Sequence, residues 1–69
     1  MATVDQRIRE HDVVTLRRRI GSWPSGREGT VVATKGSWKL VEIADEQGAM
    51  LDLISVVESD LDVIWRSDG

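Results

Sequence analysis

The 69-residue chain contains no cysteine, which removes disulfides, thiolate nucleophiles and every zinc site that needs sulfur. His11 is the only histidine, and no Asp, Glu or His spacing matches a ligand motif, so no metal and no cofactor is expected. No run approaches the roughly 18 apolar residues of a membrane span. The opening Met-Ala-Thr-Val-Asp-Gln-Arg lacks the apolar centre of a secretion signal. A cytoplasmic protein that does not enter the membrane is expected. There is no Ser-His-Asp order, phosphate loop or nucleophile elbow. A chain this short buries about 60% of its unfolded surface and is worth roughly 3–10 kcal/mol, which leaves little reserve for a strained active site. These absences point away from an enzyme and from a small-molecule substrate.

What is present alternates with a period of two. Residues 3–10 open with Thr3 three positions before Gln6, a capping-box spacing, and with Val4 and Ile8 four apart, enough for one helical turn in an N-terminal arm over residues 1–10. From there Asp12, Val14 and Leu16 share one face of a strand over 12–17, against Val13, Thr15 and Arg17. Residues 18–28 hold two glycines, two serines and the only proline, the chemistry of a long loop. Strands follow at 29–34, at 38–44 with Val41 and Ile43 inward, and at about 49–55. Lys35-Gly36-Ser37 and Asp45-Glu46-Gln47-Gly48 supply the turns between them. Glu58-Ser59-Asp60 reads as a 3₁₀ turn, and Leu61, Val63 and Trp65 share a face of the last strand. Five short strands and one long loop describe an all-β domain, a small SH3-like barrel over residues 11–66, with 67–69 as a loose tail.

Several of these residues, taken in order, carry a resemblance. His11-Asp12-Val13-Val14 with Leu16, Gly29-Thr30-Val31-Val32, Val41-Glu42-Ile43 with Asp45 and Gly48, and Asp60-Leu61 together look like a family of short bacterial proteins catalogued as a domain of unknown function. The similarity covers about residues 10–65, and Ile43 stands where the family pattern has an aromatic residue. The resemblance implies an SH3-like barrel. Because some members look like small partners encoded beside toxin-like proteins, it also implies an antitoxin or immunity role. Gly29-Thr30-Val31-Val32 further resembles the start of a strand in KOW-type ribosomal and transcription modules, which implies nucleic-acid binding as an alternative.

Four features are candidates for partner contact. Trp23, in the first loop, and Trp38, at a hairpin edge, either border a groove or fold over the core; with no tyrosine in the chain, proline-peptide recognition is disfavoured. Arg17, Arg18 and Arg19, with Arg27, Lys35 and Lys39 nearby, either contact phosphates or acidic protein, or pair within the molecule. In the fourth strand Leu51 and Leu53 are expected to face the core. That would turn Met50 and Ile54 outward, with Val13 and Ile64 extending the patch, to be covered by Val4 and Ile8, by a protein partner or by a second copy. Finally, the charge is divided. Residues 1–39 carry eight basic and four acidic side chains, and residues 40–69 one basic and eight acidic, for a net charge of −3. The acidic set Asp45, Glu46, Asp52, Glu58, Asp60 and Asp62 is either a solvated face or a surface that blocks a basic site. The expectation is a protein-binding module, with a protein partner or homodimer favoured over nucleic acid.

Overall fold

A computed structural model of the chain describes residues 8–66. They form one antiparallel sheet of five strands: β1 (Val13–Leu16), β2 (Glu28–Lys35), β3 (Trp38–Ala44), β4 (Met50–Val57) and β5 (Leu61–Trp65), with a 3₁₀ turn, η1 (Glu58–Asp60), between the last two. The all-β expectation holds, and each strand lies within about two residues of its expected place. The proposed helical turn falls mostly outside the described residues; Ile8–Glu10, which are described, are not helical.

The order across the sheet is β4-β3-β2-β1-β5, so β4 and β5 are the outer strands. Only the three residues of η1 join them, a span of at most ~14 Å. Five strands laid flat at about 4.8 Å spacing would hold the outer pair ~19 Å apart. The sheet therefore curls back on itself, and its concave face encloses the core.

That core is Ile8, Val14, Leu16, Val31, Val41, Ile43, Val56 and Leu61, with Ile20, Trp23, Ile54 and Val63 packed against it. Ile8 belongs to it, so the folded unit begins before residue 11. Two charged residues join this interior. Asp12 shares the inward face of Val14 and Leu16, as the alternation predicts, and is 1% exposed. Lys39, expected among the exposed cations, is instead turned inward beside Val41. Its Nζ donates to the Gly36 carbonyl at 2.7 Å and lies 3.6 Å from Glu58 Oε1. Glu58 Oε2 in turn accepts the Ile8 N–H, which fixes the N-terminal segment over that end of the core.

Three register shifts interrupt the ladders. Val32 is the extra residue of β2 against β3, Leu51 that of β4 against β3, and Ile64 that of β5 against β1. A bulge sends neighbouring side chains to the same side. This is why Trp65, expected on the inner face with Leu61 and Val63, is paired with Val13 and 58% exposed.

Candidate functional site

The first loop is organised by its own hydrogen bonds. Ile20 and Trp23 exchange both main-chain bonds at 2.9 Å around Gly21, whose φ of 58° suits a tight turn. At its base the Leu16 carbonyl accepts the Gly26 N–H at 2.8 Å, and Leu16 N–H donates to the Arg27 carbonyl at 3.0 Å. The loop is thus a small hairpin, and it is folded inward. Trp23 packs against the core, and its indole Nε1 donates to Asp52 Oδ2 at 2.7 Å. The Arg27 guanidinium lies 5.0 Å from the centre of the Trp23 ring and donates to the Ala44 carbonyl at 2.7 Å. Of the two arrangements open for Trp23, the structure has the one in which it folds over the core.

Asp52 explains the main correction to the sequence reading. In β4 it is Asp52, Ile54 and Val56 that face inward, opposite Ile43, Val41 and Lys39, and Leu51 and Leu53 that face solvent at 53% and 44% exposure. Ile54, expected outward, is partly buried against the core. Met50 is exposed, as expected, and the outer face of β4 therefore carries Met50, Leu51 and Leu53 together. Ile8 does not cover them, since it lies in the core; Val4 is outside the described residues. Val13 and Ile64 do not extend this patch along the sheet. They sit on β1 and β5, and the polar residues Glu42 and Thr30 stand between Leu53 and Val13 in the same row. Trp38 is exposed and does not cap the core.

β4 is also an edge. The Glu58 N–H bond to the Ser37 carbonyl fixes the alternation of the β3–β4 ladder, so that the main-chain groups of Leu53, Ser55 and Val57 point away from β3. Asp52 Oδ1 accepts the Leu53 N–H at 2.8 Å. One carboxylate therefore anchors the loop and occupies a donor that another strand would otherwise take. Asp52→Ala is expected to lower stability by about 1–2 kcal/mol, because it leaves a half-buried indole N–H without its acceptor. Tryptophan fluorescence should shift to the red, a change that reports on Trp23 because Trp38 and Trp65 are already exposed.

The arginines divide. Arg17 pairs with Asp62 at 2.7 Å and Arg18 with Asp60 at 2.9 Å, while Arg27 is held by Trp23 and Ala44. Arg19 is exposed on the loop. Nearer the β3–β4 turn, Arg27, Glu28, Ala44, Asp45, Glu46 and Leu51 border one depression, and Glu28, Thr30, Glu42 and Asp45 line an adjoining one. Sequence reasoning singled out the acidic set but not Glu28 or Glu42, which only the pairing of β2 with β3 brings beside it. Among the described residues no three His, Cys, Asp or Glu side chains converge as a metal site, and no helix is long and apolar enough to cross a membrane. Comparisons with protein-family models, curated proteins and solved structures find no match.

Proposed function

We propose that the chain is a non-enzymatic protein-binding module, acting in the bacterial cytoplasm as an accessory or inhibitory partner of the antitoxin or immunity kind. The observation that carries this reading is the outer face of β4, where Met50, Leu51 and Leu53 stand exposed side by side. Contiguous exposed apolar side chains are the mark of an interaction site, and nothing in the core demands these three. The first loop contributes Arg27, which borders the same depression as Leu51, while Trp23 holds that loop over the core from the inner side.

The alternative, nucleic-acid binding through the first loop, has less support. Arg17 and Arg18 already hold carboxylates and Arg27 holds Trp23 and Ala44, so phosphate contact would have to break these bonds or fall to Arg19. Fluorescence anisotropy at low salt should show no binding to single- or double-stranded DNA or RNA, and tight binding that falls steeply with salt would favour the alternative.

A photo-crosslinking residue placed at Leu53 and expressed in the native cell tests the main reading. A discrete adduct to another protein is expected from Leu53 and not from Thr34, an exposed position on β2. Failure to form any adduct from Leu53 would overturn the assignment of this face.

A further inference from the structure

The distribution of charge over this face identifies the kind of partner it fits. Ion pairing consumes cations elsewhere in the molecule: Arg17 with Asp62, Arg18 with Asp60, Lys39 with Glu58 and Arg66 with Asp12. Around the β3–β4 hairpin four carboxylates, Glu28, Glu42, Asp45 and Glu46, line two adjoining depressions that hold the single guanidinium of Arg27. That is a local charge of −3, equal to that of the whole chain. Asp45 accepts the Gln47 and Ala49 N–H groups, neutral donors that leave its charge uncancelled. Glu28, Glu42 and Glu46 have no cation partner among the described residues.

These carboxylates interleave with the apolar residues. Leu53 is the register partner of Glu42, Met50 that of Ala44, and Leu51 borders the depression that Glu28 and Glu46 also line. Neighbouring strands lie about 4.8 Å apart, so any segment laid on Met50, Leu51 and Leu53 must also meet Glu42 and Glu46. A neutral apolar segment would desolvate those carboxylates without compensation. A second copy using the same face would bring −3 against −3. Nucleic acid and anionic lipid carry the wrong sign.

We propose that the occupant of the β4 outer face is a cationic amphipathic segment of a partner protein. It presents apolar side chains to Met50, Leu51 and Leu53, and Arg or Lys to Glu42, Glu46 and Glu28. Arginine suits the place better than lysine because its planar fork can engage a carboxylate in two bonds. The proposal rests on the protein-binding reading above and adds the chemistry of the partner.

The test titrates three synthetic amphipathic peptides of one pattern, Arg/Leu, Gln/Leu and Glu/Leu, into the isotope-labelled full chain, following backbone amide shifts by NMR. The Arg/Leu peptide is expected to shift Met50–Leu53, Glu42 and Glu46, and to bind about tenfold more weakly in high salt or to the Glu42→Gln/Glu46→Gln variant. Leu51→Ser/Leu53→Ser should abolish the shifts while Arg19→Ala leaves them unchanged. Equal binding of the Gln/Leu peptide at these residues overturns the charge selectivity and leaves the protein-binding reading standing. Preference for the Glu/Leu peptide, or shifts confined to Arg17–Arg19, overturns the site as well. If no peptide shifts this face, the proposal fails, and the Leu53 crosslink then decides separately whether the broader reading fails with it.

Discussion

Gly29→Ala is expected to lower the unfolding free energy by about 3 kcal/mol, the upper part of the range for overfilling a packed interior. Gly29 is buried in β2 where that strand passes between β1 and β3, paired with Val14. A Cβ placed there would lie 2.5 Å from Val41 Cγ1, 3.0 Å from the Glu42 carbonyl oxygen and 3.1 Å from Ile43 Cδ1. Val41 and Ile43 are fully buried and have nowhere to turn, and the carbonyl belongs to a strand held on both sides. The strands must therefore separate locally, in the middle of the core. For a domain of this size 1 kcal/mol moves the melting temperature by about 4–8 °C, so the midpoint should fall by about 12–24 °C in calorimetry. A loss under 1 kcal/mol would mean that the β2–β3 approach is looser than the structure has it.

Asp12→Ala should cost about 2–4 kcal/mol, for a different reason. The Asp12 carboxylate is buried and accepts the Arg9 N–H at 2.9 Å and Arg66 Nη1 at 3.3 Å. Its own main chain bonds the Arg9 carbonyl and the Val31 N–H. One residue thus ties the turn before β1, where His11 holds a φ of 75°, to the end of β5. Removing the carboxylate takes a buried acceptor from the Arg9 N–H and the Arg66 guanidinium and opens a small void. Truncating one member of such a set costs more than the set contributes as a whole. Asp12→Asn, which keeps the shape and one acceptor, should cost about half as much. Urea titration distinguishes the two variants by midpoint at unchanged slope, which would indicate that the residue acts on the folded state.

Much of this architecture could be read directly from residue order. The period of two in Asp12–Leu16 placed Asp12 on the core face, and the glycines at 36 and 48 marked the turns that bound β3. Partners distant in sequence were not legible. Nothing in the alternation of Leu51-Asp52-Leu53 suggests that the aspartate is the inward residue. Its direction is set by Ile54 and Val56 opposite Val41 and Lys39, and by an indole N–H that arrives from residue 23. The outward place of Leu51 follows from a bulge that no local pattern announces. The acidic character of the second half of the chain was plain from its composition. Which carboxylates keep their charge was not, because that depends on the ion pairs η1 and β5 make with Arg17 and Arg18.

The three bulges have a consequence for how freely this surface can vary. Val32, Leu51 and Ile64 each belong to neither alternating set of their strand, and all three are exposed. The interior places no packing demand on them, so serine, threonine or lysine would fit as well there. Three positions indifferent to the fold nevertheless carry large aliphatic side chains. Their hydrophobicity is an attribute of the exterior alone, and any selective pressure that maintains it must come from outside the molecule.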